Sequence, residues 1–179
     1  MLAVVILGID PGTASTGYAV ARLLRDNRLE AAEYGVIRTP ANLPLCERLG
    51  AIYQAVEDLG RVHKPDAMAV EEIFFGRSAR NVFAVGQARG AVLVAAARLS
   101  LPVYEYTPMQ IKQAVTGYGH ADKQQVQQMI KAIFGLSQVP KPDDAADALA
   151  VAACCLHSQG LTRAVEQAEE RSAPSDRVR

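Results

Sequence analysis

Near the start of this chain a run of aliphatic side chains stops abruptly at a carboxylate. Val4, Val5, Ile6, Leu7, Gly8 and Ile9 lead into Asp10, and Pro11-Gly12 follows at once. An apolar run of this length bounded by turn residues reads as a fully buried strand. Such a strand needs cover on both sides, so the elements that follow must supply it. Buried strands do not normally end in a carboxylate unless it is paired, capped or holding a metal. Asp-Pro-Gly is also good turn chemistry, and on spacing alone Asp10 could simply open a turn. Whether other acids join it decides between the two.

The elements after Gly17 alternate between strand and helix patterns. Tyr18 to Leu24 and Leu29 to Arg38 read as strands separated by an Asp26-Asn27 turn, which makes an antiparallel meander with the first strand. Leu45, Leu49, Ile52, Val56 and Leu59 recur at helical spacing up to His63, and Lys64-Pro65 stops that helix. Ala67 to Val70 is a short buried strand that runs into Glu71 and Glu72. A long helix follows, with Ser78 as its predicted cap and an end near Leu99. Gly86 and Gly90 lie inside it, each costing the helix about 1 kcal/mol relative to alanine, so a closely packed neighbour is expected there, from this chain or from a second subunit. Leu101 to Tyr106 reads as a strand and Pro108 to Val115 as a short helix. Asp122 with Gln125 starts another helix as a capping box, with Val126, Met129, Ile130, Ile133 and Phe134 as its apolar stripe. An alanine-rich helix from Asp143 to His157 closes the series. A meander followed by right-handed βαβ crossovers predicts an α/β fold: a mixed five-stranded sheet, three strands antiparallel and two parallel, with helices on both faces.

A chain of 179 residues with half of them hydrophobic is long enough for one domain with a real core. That domain is predicted over residues 1–159, with residues 160–179 as a flexible polar tail. No apolar stretch is long enough to span a membrane, and the N-terminal run is too short and lacks the basic flank of a signal peptide. A cytoplasmic location is expected. Cys46, Cys154 and Cys155 have no C-x-x-C spacing and read as buried structural thiols. The formal net charge is zero, yet Arg77 to Lys141 holds eight lysines and arginines against two acids, Glu105 and Asp122. That stretch suits either a nucleic-acid partner or a solvated basic face.

Asp10 does have acidic company. Glu71 ends a second buried strand, and Asp144 and Asp147 stand three apart at the start of the last helix, where i and i+3 share a face. Acids at helix N-termini also answer to the helix dipole, and a glutamate at a strand end can be merely solvated. Three separate segments nonetheless each set an acid against apolar structure. Carboxylates brought together there repel unless cations neutralise them. With no His or Cys cluster nearby, the expected cofactor is Mg2+, two ions per site, with Mn2+ as a substitute. Two ions about 3.5–4 Å apart can activate water and stabilise a leaving oxygen in phosphoryl transfer. Lys112 and Lys123 are the candidate ammonium groups for the developing charge, or else ordinary helix-surface lysines. Pro11-Gly12 would end the first strand where a phosphate needs open space.

At this point the chain resembles a family. GIDPG with Gly17 downstream, AVEEIF, VGQARG, PMQIKQAVTGYGHADKQQV and DDAADALA resemble, in this order, the RuvC family of Holliday junction endodeoxyribonucleases. The likeness runs from about Leu7 to about His157. It implies a ribonuclease H-like fold and a homodimer that cleaves two opposing strands of a four-way junction symmetrically near the crossover. It implies a divalent-metal requirement, products with 5′-phosphate and 3′-hydroxyl ends, and a part in recombination and DNA repair. The catalytic and metal-holding positions it implies are Asp10, Glu71, Asp144 and Asp147. Glu71 rather than Glu72 takes the family position. Lys112 and Lys123 match basic positions near the active site, and Phe74 matches an aromatic used at the junction core, where a ring can stack on unpaired bases. Arg77 and Arg80, in the segment RSARNVFA, depart from the family pattern and are candidate DNA contacts. RuvA and RuvB are implied as branch-migration partners. Three rival readings remain: an actin- or sugar-kinase-like ATPase, a non-catalytic junction-binding module, and a nuclease of RNA–DNA hybrids.

Overall fold

A computed structural model describes the backbone of residues 4–73 and 79–172, and the side chains of 4–73 and 82–158. Its elements follow the order β1 (Val4–Asp10), β2 (Ser15–Leu23), β3 (Leu29–Arg38), α1 (Leu45–His63), β4 (Ala67–Glu71), α2 (Ala79–Arg98), β5 (Val103–Tyr106), α3 (Pro108–Thr116), α4 (Lys123–Ile133) and α5 (Asp143–Ser172). The five strands form one sheet in the order β3-β2-β1-β4-β5. The β1–β2 and β2–β3 pairs are antiparallel, and the β1–β4 and β4–β5 pairs are parallel. The predicted mixed sheet is therefore the observed one, with β1 at its centre.

The pleat of β1 divides the core. Leu7 and Ile9 point into a cluster with Ile52 and Val56 of α1 and Val92 of α2. Ile6 points the other way, into a cluster with Ile111, Ile130 and the alanines of α5. Helices α1 and α2 thus cover one face and α3, α4 and α5 the other. Because side chains alternate along a strand, Asp10 shares the face of Ile6, and Glu71 shares the face of Ala67 and Ala69. Both acids therefore leave the sheet on the α5 side. The parallel register Ile9↔Val70 sets them next to each other across the β1–β4 pair.

Two glycines let α5 descend onto the sheet. A Cβ at Gly8 would stand 2.5 Å from the Ala148 carbonyl and 2.8 Å from the Ala152 Cβ. A Cβ at Gly17 would stand 2.0 Å from the Asp144 carbonyl. The alanine-rich sequence of α5 is the complementary half of that contact, since larger side chains would hold the helix off.

Several boundaries differ from the sequence prediction. β2 begins at Ser15 rather than Tyr18, because Ser15, Thr16 and Gly17 pair with Arg38, Ile37 and Val36. β5 begins at Val103 rather than Leu101: Pro102 has no N–H for the ladder, and the Leu101 N–H is taken by Ala96. The α4 capping box is present as predicted, and α3 has a second one, Thr107 with Gln110. Asp143, the first residue of α5, accepts from Gln127 and Lys123 of α4. Helix α5 continues past His157 and Gly160 to Ser172. Leu161 to Glu170 are mostly good helix formers, and the first proline after them is Pro174. The expected helix cap Ser78 lies outside the described residues. Cys154 and Cys155 are buried, but Cys46 is exposed, in the first turn of α1. Among the described residues no helix is long and apolar enough to cross a membrane.

Candidate active site

At the end of β1 the chain turns back through a tight loop. A Cβ at Gly12 would stand 2.4 Å from the Ser15 carbonyl, so the loop's own backbone requires glycine there. The Thr16 hydroxyl donates to the Gly12 carbonyl at 2.7 Å and closes the turn. This loop and the first turn of α5 face each other across the end of β1.

Asp10, Asp144 and Asp147 converge there. One carboxylate oxygen from each lies within 4.8 Å of the others, and all three side chains are half-buried. They line a recess of about 550 Å³ whose walls include Glu71, Ser15, Lys112 and Lys123. Glu71 faces the same recess but stands outside the 4.8 Å set. The donor set is all oxygen, which suits a hard divalent cation such as Mg2+ or Mn2+. Phe74 and Arg77 lie outside the described residues, and Arg80 is placed only by its backbone, in the first turn of α2.

Charge is distributed unevenly among these acids. The Lys123 Nζ stands 3.2 Å from both Asp143 Oδ2 and Asp147 Oδ2. Burial raises the Asp147 carboxyl above its ordinary value, aided by Asp144 and Asp143, and the facing Lys123 only partly offsets this. Asp143 is held below its ordinary value by the hydrogen bonds from Lys123 and Gln127. Burial draws Lys123 down, but Asp147 and Asp143 outweigh it and leave its ammonium raised. The Lys123 ammonium is thus committed to acids of α5. Lys112 lines the recess from α3, one helical turn after Pro108.

Two contributors escaped the sequence reading. Ser15 donates its hydroxyl to Asp144, and Asp143 links α5 to α4 through Lys123 and Gln127. Neither carries a local signal, since a serine in a turn and an acid at a helix start are both ordinary.

The family model for the crossover junction endodeoxyribonuclease RuvC matches residues 6–155, which contain every acid of this recess. The chain belongs to the RuvC family. The RuvC protein of Desulfitobacterium hafniense (strain DSM 10664 / DCB-2) is 55% identical over 156 residues, covering 87% of this chain and 94% of that protein. The RuvC protein of Syntrophomonas wolfei is 52% identical over 167 residues, covering 93% and 96%. Thermus thermophilus RuvC, solved in complex with a Holliday junction substrate, superposes with a TM-score of 0.85 at 40% identity, covering 89% of this chain and 96% of that one. Membership in the RuvC family sets aside the ATPase reading and the hybrid-nuclease reading. The acid cluster speaks against a RuvC-like module that binds junctions without cutting them.

Proposed function

We infer that this chain resolves Holliday junctions by symmetrical incision of two opposing strands near the crossover, leaving 5′-phosphate and 3′-hydroxyl ends. The observation that carries the chemistry is the convergence of Asp10, Asp144 and Asp147 within 4.8 Å, on segments matched by the RuvC family model. These three, with Glu71 on the recess wall, are the proposed ligands of a divalent cation, Mg2+ or Mn2+. The chemistry bound ions supply here is activation of a water and neutralisation of charge at the leaving oxygen. The protein's own part is positional. Lys123 steadies Asp147, whose burial alone would favour the protonated form. Lys112 offers the recess a cation for the scissile phosphate. Phe74 is assigned to stacking at the opened crossover, with Arg77 and Arg80 as phosphate contacts.

Symmetrical cutting calls for two sites related by a two-fold axis, and a homodimer supplies them. Helix α2 supports this. Phe83 is 74% exposed and Val94 55% exposed, on the same stripe as Gly86 and Gly90. A Cβ at Gly90 would meet nothing within 4 Å, and one at Gly86 only the end of Ile73 at 3.5 Å. The neighbour expected for these glycines is thus not supplied by the described residues of this chain, and a second copy of α2 would fill the role. RuvA and RuvB are proposed partners on the family resemblance, and the cytoplasm is the proposed location.

The test uses a synthetic four-way junction, a linear duplex and an RNA–DNA hybrid, each with and without Mg2+, and Asp10→Asn as the control. Paired cuts in the junction alone, dependent on Mg2+ and abolished in an Asp10→Asn variant that still binds the junction, are expected. Junction binding without cutting, or preferential cutting of the hybrid, overturns the reading.

A further inference from the structure

We propose that Ser15 is a positioning residue, whose hydroxyl sets the direction in which Asp144 presents its carboxylate to a divalent cation. The proposal rests on the reading of Asp10, Asp144 and Asp147 as cation ligands. Ser15 opens β2, and its Oγ–H donates to Oδ2 of Asp144, 129 residues away in sequence. A carboxylate turns easily about its last torsion, which has a broad two-fold profile. Anchoring one oxygen leaves the other with a single direction. Outer hydrogen bonds of this kind orient metal ligands, and losing one typically weakens metal binding by about 10–100-fold.

An anchor works only if it is itself fixed, and Ser15 sits on a pinned loop. Three successive carbonyls ahead of it are held. That of Gly12 accepts from Thr16 at 2.7 Å, and that of Ala14 accepts from the Thr39 N–H at 3.2 Å. The carbonyl between them, of Thr13, accepts from Arg48 Nη2 at 2.6 Å and from the Thr39 hydroxyl. Arg48 Nε donates in turn to Thr39 Oγ1 at 3.0 Å. A guanidinium from α1 therefore braces the loop from behind while Ser15 reaches forward to α5. The two α5 acids of the cluster then have matching supports: Ser15 holds Asp144, and Lys123 holds Asp147.

The test compares the full-length parent with Ser15→Ala, Ser15→Thr and Asp10→Asn, by Mn2+ calorimetry without DNA and by junction cleavage across a Mn2+ series. Ser15→Ala is expected to weaken Mn2+ binding about tenfold and to raise the half-saturating Mn2+ by the same factor. Ser15→Thr, which keeps the hydroxyl, should restore binding. Parent-like Mn2+ binding by Ser15→Ala overturns the proposal, as does a lower saturated rate with unchanged binding, which would mean that Ser15 touches substrate. A threonine variant no better than alanine overturns it too. If the parent and Asp10→Asn bind Mn2+ equally poorly, it is the reading of the acids as ligands that fails. Circular dichroism checks folding; should Ser15→Ala not fold, Ser15→Cys keeps the volume with a weak donor and takes its place.

Discussion

At the scale of single residues, Asp147 and its neighbour Asp143 are pushed in opposite directions by their surroundings. Asp147 is raised chiefly by burial, so its ionised form costs the folded state free energy. With the folded value above the unfolded one, the folded state binds more protons between the two. Its contribution is fully present below the unfolded value near 3.8 and is lost as pH rises through the folded value. Asp147→Asn mimics the neutral form and removes that loss. In metal-free protein, the melting temperature of Asp147→Asn minus that of the parent should increase as pH rises from acid to neutral, while junction cleavage disappears. A difference that shrinks with pH would contradict the burial argument. Asp10, Glu71, Asp144 and Asp147 were all legible as candidates, because each ends a strand or begins a helix. The 4.8 Å convergence of three of them, with Glu71 set apart, was not, since local pattern carries no distances between segments.

At the scale of elements, the site depends on how closely α5 lies on β1 and β2. Gly8 and Gly17 are the contact surface, and neither has room for a Cβ. Gly8→Ala should push α5 outward, costing about 1–3 kcal/mol of stability through overpacking. The same displacement moves Asp144 and Asp147 away from Asp10, so cleavage should fall even at temperatures where the variant is fully folded. Thermal denaturation alongside cleavage checks this, and an active variant of parental stability would show that the contact is softer than its geometry implies. Element boundaries were legible wherever a chemical stop exists, as with α1 between Pro44 and Lys64. They were missed where pairing decides, as at the start of β2, and where a helix runs on without a breaker, as in α5.

For the whole molecule, the proposed pairing of α2 helices makes a separable prediction. Phe83 lies on the open stripe of α2, and Phe83→Glu would set like charges against each other across a two-fold interface. Sedimentation equilibrium should find the parent as a dimer and this variant as a monomer. The variant should still bind Mn2+ but nick junctions on one strand rather than cut them in pairs. A variant that remains dimeric and cuts in pairs would place the interface elsewhere.

The sequence by itself determined the order of elements, the mixed sheet, the RuvC likeness and the identities of four acids. These are local properties: hydrophobic period, turn chemistry and the residue at the end of each run. The tertiary structure alone decided how the acids meet. Ser15 and Asp144 touch across 129 residues, and Lys123 chooses Asp143 and Asp147. Both contacts exist because α5 settles onto glycines in the sheet, and that packing is a property of two distant segments together, written in neither one alone.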